Sequence, residues 1–461
     1  MRLGSSLKFA VAGGLCLLFV SSVPGRADTG IVVTGGNVTE RNHWLLPRSD
    51  GTYLLGYAEG VAFQNLYAQP LFADGTLAGD TWDMTQNWMF VASRSAAAYA
   101  PDWDHFLVVH EGFQVGSPDR ELFVRLLDRH GDIMVGSFGG FELSDESNVG
   151  SVAVVYNSLA QEWLIVALVV DLSDPDLASI ERGYVDRNAE SFGWLGALVS
   201  EPQTLMRSVS LAYAPVVTPQ SPTGWYLLAV NRASTSTLYM LGERGELIDA
   251  VWDCQQEPPV PVRLEIPFDW GTEDGHSYHP HVAYGGVGER KRFAVVWEDL
   301  NNTHNGYETT GIWGGWLDAT HTRYCANVPD AEAFYVGGSC WHNFYWWAPR
   351  VAFDPGAGQF LAAWRELPTN DSCNDVTVEH IRGQRFGWPV DNIVLSRATG
   401  DEYPMFPDVA SNGNGWLVTW DDLRNEGQGH QRDIYGRLFG GIIFADGFET
   451  GNTVRWSATV P

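Results

Sequence analysis

Lysine is almost missing from this 461-residue chain: only Lys8 and Lys291 occur, and Lys plus Arg number 28 against 56 Asp plus Glu, a formal net charge of −28. Nucleic acids and anionic membranes are held by clustered basic side chains, so this balance argues against both as partners. Long apolar runs are absent after Val20, which leaves no candidate membrane span. No long segment repeats its apolar residues every 3.6 positions, while 50 Gly and 23 Pro supply turns throughout, so helical architectures are disfavoured. Several sequence signatures of chemistry are also lacking: a Gly-x-Ser-x-Gly nucleophile elbow, an EF-hand loop, a Cys-x-x-Cys pair and a Ser-x-Asp-x-Gly-x-x-Trp box.

What is present begins with a basic tip (Arg2, Lys8), an apolar stretch from Phe9 to Val20 and small residues leading to Ala27. That pattern reads as a secretory signal over residues 1–27, and places the protein outside the cell, at its surface or in a periplasm. Beyond it lie four cysteines, Cys254, Cys325, Cys340 and Cys373. In an oxidising compartment an even count favours two disulfides, with three connectivities open. Cys325 with Cys340 is the preferred pair because both lie in one insertion, which leaves Cys254 with Cys373.

The body of the chain is repetitive. An aromatic opens an apolar block seven times, at Tyr53, Phe106, Trp163, Trp225, Phe293, Phe360 and Trp416, spaced roughly 60 residues apart. A second strand-like block follows each one, from Leu66, Leu122, Ile180, Leu238, Ile312, Ile381 and Ile434. Short segments such as His281-Val-Ala-Tyr precede the first block, and others such as Asn392-Ile-Val-Leu-Ser-Arg follow the second. Four strands per unit and seven units predict an all-β fold, a seven-bladed β-propeller of four-stranded antiparallel blades over residues 28–441. The seventh unit lacks a fourth strand of its own, and Ile31-Val-Val-Thr34 matches Ile393-Val-Leu-Ser396, so the N-terminal strand is expected to close the ring.

In Trp420, Asp422, Arg424 and Asp433-Ile-Tyr-Gly436, the last unit resembles propeller repeats of secreted bacterial proteins with WD-repeat-like blades. The resemblance implies architecture and names no activity. Residues 442–461, with Asp446-Gly-Phe-Glu449 and Trp456-Ser457, are similar to a C-terminal tail found on many exported bacterial proteins, and imply a sorting segment.

Function is sought where the copies differ. The residue before Val-Ala in the innermost strand becomes polar late in the chain: His281, Arg350 and Asp408. Successive blades would carry the three to similar heights at the axial channel, as a binding site for an anionic or polyhydroxylated ligand, or as an acid/base site with His281 as base. Trp341, His342, Phe344, Tyr345, Trp346 and Trp347 form the densest aromatic patch and the foremost glycan-binding candidate. His279 and His281 share a strand face and would make a two-histidine metal corner lacking a third ligand. No cofactor is called for; calcium is the ion that acidic pairs such as Asp421 and Asp422 would suit. The expectation is a binding or surface-interaction module for carbohydrate or protein, with a polysaccharide lyase or glycoside hydrolase at the channel mouth, or a structural envelope protein, as rivals.

Overall fold

A computed structural model describes residues 31–32 and 40–440, except 61–64, 86–93, 114–119, 135–138, 143–146, 172–176, 189–190, 203–207, 220, 233–234, 248–263, 266–276, 288–289, 305–306, 320–332, 341–347, 367–379, 387–391, 398–404 and 423–432. Among these residues the chain is all-β save one short 3₁₀ turn at Glu243–Gly245, and its strands form seven four-stranded antiparallel sheets. Each of the first six sheets is built from consecutive strands, as in the fifth: Ser277–Val287, Arg290–His304, Tyr307–Asp318 and Ala333–Cys340. The seventh takes Met405–Ser411, Trp416–Asp422 and Asp433–Phe439, and beside the last lies Ile31–Val32, with Ile31 opposite Gly436 and Val32 opposite Tyr435.

The first strand of every sheet lies against the first strand of the next, and that of the seventh, Met405–Ser411, lies against that of the first, Glu40–Pro47. The arrangement is propeller-like. It explains why the second strands read as apolar on both faces, since side chains alternate across a strand and both faces here are covered. In His105–Phe113, for example, Phe106 and Val108 pack toward the first sheet, while Leu107 and Val109 pack toward the third. Seven apolar clusters result, each straddling one junction between neighbouring sheets. Trp163, Trp364, Trp416 and Trp420 are among the largest side chains fully enclosed in them. Each such burial contributes on the order of 2–3 kcal/mol, which is how sheets too small to stand alone cohere.

In the second to sixth sheets a repeated aromatic pair ties the inner strand to its neighbour. Tyr99 faces Phe106, Tyr156 faces Trp163, Tyr213 faces Tyr226, Tyr284 faces Phe293 and Phe353 faces Phe360, with ring centroids 4.8–5.6 Å apart. Such pairs add about 0.5–1.5 kcal/mol beyond burial. They also expose a one-residue offset: in the fourth sheet Tyr226, and not the strand-opening Trp225, is the equivalent of Phe293.

Candidate functional site

Three inner strands begin alike, with a proline, a variable polar residue and Val-Ala: Pro280-His281-Val282-Ala283, Pro349-Arg350-Val351-Ala352 and Pro407-Asp408-Val409-Ala410. Proline has no N–H for a sheet ladder, so it belongs at a strand start or a bulge. In the fifth and seventh sheets the pairing register shifts at this point, between Tyr278 and His281 and between Met405 and Asp408. The residue before each proline takes a left-handed backbone, φ 48° at His279, 35° at Ala348 and 44° at Phe406. For residues with a side chain that conformation costs on the order of 1 kcal/mol or more, and it persists because the surrounding sheets hold it.

The bend delivers the next residue to a central cavity of about 490 Å³, lined by the opening residues of all seven inner strands. His281, Arg350 and Asp408 share its wall with His43 of the first sheet. From the second to fourth sheets, Ala96, Val152, Ala153 and Val209 put apolar surface on the opposite wall, interspersed with the serines Ser95, Ser151, Ser208 and Ser210 and with Arg94. Phe406, at the start of its inner strand, is half exposed at the border of the same cavity.

A second role of these side chains emerges from their bonds. Asp408 Oδ2 accepts the backbone N–H of Leu45 in the first sheet at 2.8 Å, across a sequence separation of 363. At the matching place Ser210 Oγ accepts Val282 N–H at 3.1 Å, and His281 Nδ1 accepts Val351 N–H at 3.2 Å. Where alanine occupies the position, bonds at other places join the sheets: Glu111 Oε1, on the second strand of its sheet, accepts Val149 N–H, and Ser151 Oγ, two residues before Ala153, accepts Val209 N–H, both at 3.2 Å. The inner strands of the third to sixth sheets and of the first are thus each fastened, amide to side chain, to the preceding sheet. The matching position carries Trp44 in the first sheet and Arg350 in the sixth, and neither side chain has an acceptor to offer. Val409 N–H, facing Arg350's sheet, is accepted instead by Oδ1 of the preceding residue, Asp408, at 2.9 Å.

Electrostatics follow from the enclosure. Burial, aided by the charge of Arg350, holds His281 well below the ordinary histidine value. Because Nδ1 accepts an amide proton, the neutral ring carries its own proton on Nε2. His281 therefore presents a donor to the cavity, and its expected role as a base is not favoured by this tautomer. Burial also lowers Arg350, partly offset by Asp408, and raises Asp408 against the opposing pull of Arg350 and of the Val409 and Leu45 amides. His43 is pushed down to about 4, chiefly by burial and further by Arg350; its ring approaches the Thr419 backbone without reaching normal hydrogen-bond geometry.

The metal corner is not assembled as a flat strand would assemble it. His279 lies at the bulge, and its Nδ1 is 3.1 Å from Glu298 Oε2. Of the acidic pairs, Asp421 and Asp422 are both buried, and Asp422 stands opposite the equally buried Asp433. Arg424 lies outside the described residues, as do the aromatic patch Trp341 to Trp347 and Cys254, Cys325 and Cys373; Cys340 ends its strand with its side chain undescribed. The sequence reading overlooked His43, which no local signal separates from its neighbours, and the three Pro-x-Val-Ala repeats, which were visible.

Removing the Asp408 acceptor tests the fastening. Asp408→Ala leaves two N–H groups unbonded and Arg350 without its nearest countercharge, and it is expected to lower unfolding free energy by about 2 kcal/mol in urea titrations. Asp408→Asn retains an acceptor oxygen and loses about half as much. A Cm for the alanine variant equal to that of the parent would remove the bracing role.

No family model matches the chain, and no curated protein does. Among solved structures, the chain is similar to a protein of unknown function from Dyadobacter fermentans, at 12% identity over 90% of this chain and 99% of that one, with a TM-score of 0.46. It is also similar to Hadza microbial sialidase Hz136 (7% identity, 87% of this chain, 66% of that one, TM-score 0.42) and to a leech intramolecular trans-sialidase (9%, 90% and 70%, TM-score 0.41). At such distances the activity of this chain has to be sought in its own residues.

Proposed function

We propose that this chain is a closed seven-bladed β-propeller, sealed by Ile31–Val32 beside its last blade, and that it is exported and acts as a binding module for carbohydrate. The ligand enters the central cavity. The observation that carries this reading is the division of labour within the polar sector. The atoms of His281 and Asp408 that would serve as base or acid already brace the sheets, while donors of Arg350 and His281 remain turned to the cavity. General acid/base catalysis needs a group free to take and return a proton, whereas binding needs only fixed donors. The signal-like first 27 residues and the acidic composition support export, and the aromatic patch from Trp341 supports a second, loop-borne glycan contact.

The test is a panel of immobilised polysaccharides, with the protein assayed both for retention and for release of new reducing or unsaturated ends. Retention without new ends is the expected result. New ends that disappear in His281→Ala would establish the lyase or hydrolase reading instead, and neither retention nor new ends would set the carbohydrate reading aside.

A further inference from the structure

Arg350 brings a guanidinium to the polar sector of the cavity, and that group specifies a ligand. A guanidinium has five N–H donors in a planar fork. One, on Nη1, goes to the Pro349 carbonyl at 3.1 Å. Asp408, the nearest carboxylate in its field, has both oxygens committed to amide protons and does not close on Arg350 as an ion pair among the described contacts. None of the guanidinium nitrogens is sealed from the cavity and left unbonded, and the same holds for His281 Nε2. The remaining donors therefore face open space that a ligand can fill.

Resting on the binding reading above, we infer that the cavity selects a sugar acid, its carboxylate taken by the Arg350 fork and the His281 Nε2–H, and its ring set against the alanine and valine sector. A planar carboxylate matches the guanidinium bidentately, and charge-assisted bonds of this kind are about twice as strong as neutral ones. Ring order keeps the anion from Asp408: His281, Arg350 and Asp408 come from the fifth, sixth and seventh sheets, so a carboxylate bridging the first two lies on the far side of the guanidinium. Asp408 retains lone pairs for a sugar hydroxyl. Across the cavity Ala96, Val152 and Ala153 suit the C–H face of a pyranose, and the serines set between them, Ser95 and Ser151, are in reach of its hydroxyls, while Arg94 there gives its Nε to the Gly150 carbonyl at 3.0 Å. The volume of about 490 Å³ falls inside the ~300–1,000 Å³ of small-molecule sites. Long-range repulsion from the net charge of −28 works against any anion, but it is screened beyond about 8 Å at physiological salt, whereas the Arg350 contact is direct.

The full-length secreted chain is titrated calorimetrically with glucuronate, galacturonate, glucose, the methyl ester of glucuronate and benzoate. At least one of the two sugar acids is expected to bind tenfold or more tightly than glucose and the ester, an advantage that Arg350→Gln abolishes and the exposed-turn control Arg129→Gln keeps. The ester comparison needs no variant, so the inference stays testable if Arg350→Gln does not fold. Equal affinity for glucose and the two acids overturns the inference while leaving the carbohydrate reading intact. Benzoate binding as tightly as either acid overturns the sugar component, and binding of none of the five overturns the inference together with the cavity's role in the binding reading.

Discussion

Gly285→Val is expected to cost about 3 kcal/mol of stability. A Cβ built on Gly285 would fall 2.0 Å from Cγ of Phe353 and within 2.5 Å of both Cδ atoms, in the apolar junction between the fifth and sixth sheets. Contact that close is met at the root of the ring and not at a mobile tip, so Phe353 has to leave its place against Phe360, 4.8 Å away. Overpacking of this kind typically costs 1–3 kcal/mol, and the valine methyls add to it. Urea denaturation reads the loss directly. In the double variant with Phe353→Ala the two penalties should be strongly non-additive, because the alanine vacates the space that valine needs. A loss below about 0.5 kcal/mol for Gly285→Val alone would contradict the close approach.

Acid is expected to weaken the fold well before the carboxylates titrate. His43 and His110 are both pushed down to about 4, in each case mainly by burial, with Arg350 and Arg125 respectively adding to the effect. His110 is wholly enclosed and stacked on Phe123 at 5.4 Å. Their folded values lie below the unfolded value near 6.5, so the unfolded chain binds more protons between the two, and stability falls as pH drops from about 6.5 toward 4. By pH 5 a fully enclosed histidine of this kind accounts for roughly 2 kcal/mol, and His43, bordering the cavity, for somewhat less. Asp408 runs the other way: burial raises it, so its ionised form is the costly one and acid relieves that cost. The histidines are therefore best isolated by difference. His110→Gln should flatten the dependence of unfolding free energy on pH between 7 and 5 by about 2 kcal/mol, and an unchanged slope would show that His110 is not a buried neutral group.

Much of the architecture was legible because strands covered on both faces have a plain sequence form. An aromatic followed by Leu-Val-Val or Ala-Val-Val is hard to mistake, and the seven blocks correspond to the seven second strands. The inner strands are shorter and more polar, yet Val-Ala marked His281, Arg350 and Asp408 for the cavity they now line. The aromatic directly after that alanine in the cross-strand pairs, as in Val282-Ala283-Tyr284 and Val351-Ala352-Phe353, was present in the same segments and passed over. What lay beyond reading was the bonding. That Asp408 belongs to Leu45, or His281 to Val351, follows from which strands become neighbours and from bulges that reset register, and neither is encoded within a few residues. The base role expected of His281 is not favoured for that reason: its Nδ1 partner is a backbone amide on another sheet.

The fastenings between inner strands also say how the ring would come apart. They join the second through sixth sheets into one run and the seventh to the first in another, and among the described residues none is found where Trp44 and Arg350 stand. Considered as a cooperative object, the molecule is two arcs, one of five sheets and one of two, meeting along two lines that lack this fastening and are held by apolar packing, by Tyr99 bonded to Ser49 and Arg48 bonded to the Arg129 carbonyl at the first-to-second line, and by the Trp416 indole on the Ala352 carbonyl at the sixth-to-seventh. Partial opening would then release the beginning and the end of the folded chain together, as a pair clasped by Asp408, while the five-sheet arc stays intact. Arg350 stands on one of those two lines, which places the group proposed to take the ligand at a seam between the arcs.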